Sequence, residues 1–260
     1  MRVLILGCGG SAGVPMLGGP DGHGDYGVCD PDEPRNRRTR SSIVIESDEG
    51  RRVLVDTGPE MRQQLLACGI GRIDALFYTH AHADHVAGLD DIRGLNRLVG
   101  RPLDVFGTRA VLGEIEGRFA YAFRPWSPPG FYRPVLVPRP VTPGRADIEG
   151  MRFALFEQVH GRSITLGLRI GGFAYSTDVM ELDEPALQAL RGVDTWVVGC
   201  FQRAPHPAHA HPTLVAQWAW RLGIRRTILT HMGTDLDWGW MASNLQPGVE
   251  AAFDGMQIRL

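Results

Sequence analysis

The stretch Thr79-His80-Ala81-His82-Ala83-Asp84-His85 constrains this chain more than any other. Before it, Ile73-Asp74-Ala75-Leu76-Phe77-Tyr78 is a short, mostly apolar run that reads as a buried strand. After it, Val86, Leu89, Ile92, Leu95 and Leu98 recur at helical intervals and predict one helix over 86–98. The histidines therefore sit where a strand gives way to a helix, and side chains converge there. In an extended segment, residues two apart point the same way, so His80 and His82 can grip one ion together. Asp84 and His85 follow as the chain turns and can face a second. Imidazole and carboxylate donors of this kind suit zinc, and also manganese or iron. A lone histidine is ordinarily a surface residue. Four ligand-type residues in H-x-H-x-D-H spacing outweigh that reading.

Composition narrows the setting. A chain of 260 residues can bury a sizeable core, as one large domain or two small ones. With 27 Lys and Arg against 29 Asp and Glu, the net charge of −2 gives no general attraction to nucleic acid or to an anionic membrane. No apolar run approaches the ~20 residues of a spanning helix. Cys8, Cys29, Cys68 and Cys200 are widely scattered, with no zinc-ribbon spacing, and suggest reduced thiols in the cytoplasm.

Taken in order, Met1–Leu6 reads as a strand that runs into the glycines of 7–13. That loop lacks the pattern of a nucleotide-binding turn and reads as a tight turn beside the metal site. In 35–40 four arginines fall within six positions. Most can be a solvated or internally paired edge. One turned inward would suit phosphate, whose oxygens match a guanidinium fork. Arg38 and Arg40 share parity and are the candidates. Residues 42–46 and 52–56 form a hairpin ending at Asp56, and 60–68 a helix ended by Gly69. Leu103–Gly107 reads as a strand and Thr108 as the cap of a helix to Tyr121. Residues 123–143 hold seven prolines, with Trp126, Phe131 and Tyr132 among them, and cannot be helix. This stretch can wall or cover the site, Phe131 and Tyr132 facing a substrate, or form the contact of a homodimer, or simply pack. Further apolar runs end at His160, at Asp178 and at His231. Between the last two stand His206, His209 and His211 among prolines and alanines.

His80-Ala81-His82-Ala83-Asp84-His85 resembles the motif of the metallo-β-lactamase-fold hydrolases. Gly7–Pro15, Gly88-Leu89-Asp90-Asp91-Ile92-Arg93 and Thr230-His231-Met232-Gly233 resemble the branch that contains the phosphoribosyl cyclic phosphate phosphodiesterase. The likeness runs from Leu4 to Leu260. It implies one domain over 1–260 with a four-layer αβ/βα sandwich, where the residues alone support only mixed α/β. It also implies the ligand sets. His80, His82 and His160 would hold a first ion, and Asp84, His85 and His231 a second. Asp178 would bridge them, and Asp56 would steady the histidine loop from behind. His209 would protonate the leaving group, with His206 and His211 as alternatives.

The chemistry expected of such a chain is hydrolysis of a small phosphodiester, cyclic and of a sugar or nucleotide, assisted by two divalent ions, zinc or manganese. The resembling phosphodiesterase carries a further structural zinc among clustered cysteines. Here that loop offers only His23 and Cys29, and Thr234 stands where another ligand would be, so two ions are expected rather than three. Rival readings are a lactone, thioester or β-lactam hydrolase on the same scaffold, an RNA-processing nuclease, and a non-enzymatic binding protein of cofactor biosynthesis. The nuclease would need a basic arm that this sequence lacks. The binding protein would lack ligands, and none is missing.

Overall fold

The first half of the chain alternates apolar residues between two faces. In β1 (Arg2–Gly7), Val3 and Ile5 join one core while Leu4 and Leu6 join another. The same division runs through β2 (Ser42–Glu46), β3 (Arg52–Val55) and β4 (Ala75–Phe77). Strands buried on both faces need cover on both sides. A computed structural model, which describes residues 1–260, shows how that cover is arranged.

With β5 (Leu103–Gly107) and β6 (Leu136–Pro140) these strands form one sheet. The second sheet is built from β7 (Gly144–Ile148), β8 (Met151–His160), β9 (Ser163–Ile170), β10 (Phe173–Ser176), β11 (Thr195–Gly199), β12 (Arg226–Thr230) and β13 (Val249–Ala251). The last strand, β14 (Gln257–Arg259), returns to the first sheet beside β1. The strand orders are 14-1-2-3-4-5-6 and 13-12-11-10-9-8-7, seven strands each. In both, three strands pair antiparallel (β1-β2-β3 and β8-β9-β10), and three more then add in parallel. The halves thus repeat one plan.

A cluster of 40 buried residues lies between the sheets and continues under the helices of the second half. Another of 22 lies between the outer face of the first sheet and its helices. Those helices are α1 (Met61–Ala67), α2 (Ala83–Val86), α3 (Ile92–Val99) and α4 (Arg109–Arg118) in the first half, and α5 (Glu184–Leu190), α6 (Pro212–Leu222) and α7 (Trp238–Asn244) in the second. This is the αβ/βα sandwich of the metallo-β-lactamase fold.

Two expectations need correction. The single helix over 86–98 is broken into α2, a 3₁₀ turn at Leu89–Asp91 and α3. Gly88 packs so closely on Gly58 that a Cβ there would lie 2.1 Å from the Gly58 carbonyl oxygen, and the chain cannot continue straight past it. The proline-rich stretch is not irregular throughout, since Leu136–Pro140 is β6. It pairs only with β5, and an edge strand tolerates prolines because the missing N–H groups need no partner. The turn at Asp254-Gly255 lies between strands of different sheets. It carries the chain from β13 in one sheet to β14 in the other.

Candidate metal centre

The ligand-type residues follow strand ends on both sheets: His80 to His85 after β4, His160 at the end of β8, Asp178 after β10 and His231 after β12. Non-glycine residues seldom adopt a positive φ, and such strain collects at functional sites. Of the four here, three border this centre: Asp56 (φ 62°), Asp178 (50°) and His231 (56°). β3 and β10 hold the same place in their half-sheets, so Asp56 and Asp178 are counterparts in the repeated plan.

Donor atoms of His80, His82 and His160 lie within 4.8 Å of one another, and so do those of Asp84, His85 and His231. Asp178 stands between the sets. Its Oδ2 lies 3.0 Å from His85 Nε2, and its Oδ1 lies 3.3 Å from His231 Nε2 and 3.6 Å from His160 Nε2. His209 joins this group, with Nδ1 3.7 Å from Asp178 Oδ1 and its ring stacked 4.9 Å from that of His231. The structure therefore brings together all seven expected ligands and His209.

Whether this set fits metal is tested by the nitrogens it leaves free. His80 Nδ1 contacts Thr79 Oγ1 at 3.0 Å, His85 Nδ1 contacts Asp56 Oδ2 at 2.8 Å, and His160 Nδ1 contacts the Ala208 carbonyl at 2.7 Å. Each ring thus has one nitrogen fixed by the protein. The opposite nitrogen of His80 is buried with no hydrogen-bond partner, and that of His85, buried beside the Asp178 and Asp84 carboxylates, is not aligned for a hydrogen bond to either. Buried unpaired nitrogens are costly unless a ligand occupies them, and imidazoles steadied from behind are typical of metal sites. The donor set fits divalent ions.

The histidine loop is locked from below. Asp56 accepts from Thr79 N–H (2.9 Å) and Thr79 Oγ1 (2.8 Å) as well as facing His85. Thr57 N–H donates to the His85 carbonyl at 2.7 Å, and Gly88 N–H to the Thr57 carbonyl at 2.9 Å. A Cβ on Gly58 would lie 2.7 Å from the Asp84 carbonyl oxygen, so only glycine lets the two loops meet this closely.

Burial and charge divide the titrating groups. Burial pushes His80 well below the ordinary histidine range. Burial, joined by the field of His231, pushes His209 down to about 3. For His85 burial also opposes the charge, but the Asp178 and Asp56 carboxylates prevail and lift it well above that range. Burial opposes the charge of Asp178 too, and His231 and His85 outweigh it, holding Asp178 well below the carboxylate range.

The residues expected to grip substrate are placed otherwise. Arg38 is buried at 2% exposure, and its guanidinium is spent on Gly233 O, Leu236 O, Arg35 O and Asn36 Oδ1. Arg40 is paired with Glu60 and donates to Ser11 O. Neither offers a free fork. Phe131 is buried in a stack on Trp126 at 4.5 Å, while Tyr132 is 78% exposed. Cys29 donates its thiol to Thr234 O at 3.2 Å, and His23 is exposed. Of the alternatives to His209, His206 accepts from Ala208 N–H, and His211 stands at the N-cap position of α6 without a side-chain capping bond. Phe201 has no counterpart in the sequence expectations. Its ring lies 4.9 Å from His209, 5.3 Å from His206 and 6.1 Å from His231, and walls the centre. Its position after the β11 run was the only available signal.

A beta-lactamase superfamily domain model matches residues 51–232. The crystal structure of a new diphosphatase from the PhnP family superposes with a TM-score of 0.89 at 31% identity, covering 100% of this chain and 98% of that one. An octanoyltransferase of Porphyromonas gingivalis is 31% identical over 260 residues, 99% of this chain and 51% of that protein. This chain therefore spans about half the length of that curated relative. Zn(2+)-bound PqqB from Methylobacterium extorquens shares the fold at 20% identity and a TM-score of 0.72, each chain covered in full. No helix is long and apolar enough to cross a membrane.

Proposed function

The chain belongs to the beta-lactamase superfamily, among the metal-dependent hydrolases of the PhnP-like branch, and from that premise we propose that it hydrolyses a small phosphodiester with two divalent ions, zinc or manganese. The observation that supports this most is the shared carboxylate. Asp178 lies within ligand reach of His80 and His160 from one triad and of His85 and His231 from the other. A carboxylate so placed can offer one oxygen to each of two ions. When bound, such a pair activates water near neutral pH and offsets charge on the phosphoryl oxygens.

The chain's own residues do the rest. His80, His82 and His160 would hold one ion, and Asp84, His85 and His231 the other. Asp56 and Thr79 keep the rings of His85 and His80 turned so that Nε2 faces inward. His209 would donate to the leaving oxygen. In the metal-free centre its pKa of about 3 leaves it neutral, and a neutral imidazole offers the leaving oxygen only a hydrogen bond; an anionic substrate beside it would raise that pKa toward the imidazolium, the form that can give up a proton. Phe201 forms an apolar wall that excludes water from this corner.

The diphosphatase at 31% identity acts, by its name, on a phosphorus–oxygen bond, and this supports phosphoryl chemistry over a lactone, thioester or β-lactam. A ribose cyclic phosphate, a 2′,3′-cyclic nucleotide, a dinucleotide diphosphate, a lactone, a β-lactam and a precursor tRNA would be assayed under one set of metal conditions. The reading expects turnover of small phosphate esters and little of the tRNA. A net charge of −2 supplies no broad basic face for a long backbone. Turnover of the lactone or β-lactam alone, or efficient cleavage of the tRNA, would overturn it. Elemental analysis of undialysed protein should give two transition-metal ions per chain. Three tight zinc ions would refute the two-ion centre.

A further inference from the structure

Four histidines of the centre are buried, and three of them have a ring nitrogen fixed by Thr79, Asp56 or the Ala208 carbonyl. His231 is the exception. Its Nδ1 is buried with no hydrogen-bond partner, and the ring's contacts with Asp84 (3.5 Å) and Asp178 (3.3 Å) are all on the Nε2 side, so no acceptor holds it from behind. Its backbone must do so, and that backbone sits in the left-handed region at φ 56°. A non-glycine residue holds that conformation only where its neighbours impose it.

The neighbour is Met232, one residue on. Met232 N–H donates to the Cys8 carbonyl at 2.9 Å, and Gly10 N–H donates to the Met232 carbonyl at 3.0 Å. Segment 8–10 also pairs with the chain before β2, where Gly9 N–H donates to the Thr39 carbonyl at 2.7 Å. It forms the seam between the sheets at the metal end. Both strips of the seam are gripped by one side chain. Asp254 Oδ1 accepts from Cys8 N–H (3.0 Å) and from the Cys8 thiol (3.3 Å). Its Oδ2 accepts from Thr39 N–H (2.8 Å) and Thr39 Oγ1 (2.6 Å). The turn that carries Asp254 is itself tied to β1, through Gly255 N–H to the Ile5 carbonyl at 2.8 Å.

We infer that Asp254 is the positioning residue for His231, acting through Cys8 and Met232 to set the affinity of the ion that His231 holds with Asp84 and His85. This rests on the ligand assignment proposed above. The carboxylate offers both oxygens as acceptors to four donors. An asparagine offers one oxygen, and either orientation of its amide sets an NH₂ group against the N–H of Cys8 or of Thr39.

The test is a titration of metal-free wild-type and Asp254→Asn protein with Zn²⁺ against a competing chelator, with the histidine ring nitrogens followed by NMR. Wild type should take up two ions. The variant should hold the ion of His80, His82 and His160 at wild-type affinity. It should bind the other about 10–100-fold more weakly, with the His231 ring losing its metal-induced shift. Thr39→Ala removes one donor and keeps both backbone bonds. It should show the same selectivity at smaller size, and it decides the matter if Asp254→Asn fails to fold. Ile258→Val, in neighbouring β14, should disturb neither ion. Unchanged affinity for both ions in the Asp254 and Thr39 variants, or a parallel loss of both, would overturn the inference. Wild-type protein that takes up fewer than two ions would overturn the ligand assignment instead.

Discussion

His85 Nδ1 lies 2.8 Å from Asp56 Oδ2, with both side chains fully buried. That contact turns Nε2 of His85 toward Asp178 and makes the ring a better donor to a cation. Asp56→Ala should weaken binding of the ion at His85 by roughly 10–100-fold, the range for losing such a partner. Chelator competition checks it. Unchanged affinity would mean that Thr57 and Gly88 alone position the loop.

Asp178→Asn replaces a group facing both triads by a neutral amide. Turnover should fall by at least about 10²–10³-fold, the loss on removing a single electrostatic stabiliser from an active centre, and the ion pair should loosen. Near-native turnover with both ions in place would remove Asp178 from the bridging role.

The candidate centre was largely legible in the sequence because its residues follow four apolar runs, and strand ends converge. The resemblance supplied the division of seven residues into two triads and a bridge. What it could not supply was the direction of a side chain set by distant partners. Arg38 and Arg40 share parity, but Arg38 is drawn inward by the carbonyls of Gly233 and Leu236, nearly 200 residues away. Phe131 reads as a wall for substrate and is instead stacked on Trp126.

The fold shows the same division. The short apolar runs at 1–6, 42–46, 52–56 and 73–78 announced β1 to β4. The break between α2 and α3 depends on Gly88 meeting Gly58 across the chain, which no local period encodes. Helix α7 begins Trp238-Gly239-Trp240 and has no apolar period to announce it. Its start is set by Asp237, which accepts from Trp240 N–H at 2.8 Å.

The metal-free protein should lose stability as pH falls from about 6.5 to 5. His80 is pushed well below the ordinary range by burial, and His209 to about 3. In that window the unfolded chain binds protons that the folded chain refuses, so stability rises with pH. The slope should approach about 1.4 kcal/mol per pH unit for each histidine. His85, with its pKa raised, works in the opposite sense while the unfolded chain's histidine is still titrating near pH 6.5, and adds little toward pH 5. Asp56, raised by burial, works in the opposite sense, from the unfolded carboxylate's value upward. Denaturant melts in chelator from pH 5 to 8 measure the slope, and His209→Ala should reduce it. A flat profile would contradict the assignment.

His209→Ala tests whether this residue donates to the leaving group or binds metal. Its ring is 4.7 Å from that of His160 and 4.9 Å from that of His231, close enough for either role. As a proton donor it matters most where the leaving oxygen is basic. Loss of turnover should then reach about 10²–10⁴-fold on an alkyl phosphodiester and be much smaller on an aryl one, whose oxygen departs unaided. Both ions should stay bound, because the two triads are complete without it. Equal losses on the two substrates, or loss of an ion, would make His209 a ligand or a binding residue. His206, with its ring 5.0 Å away on the same loop, would then be the next donor to test.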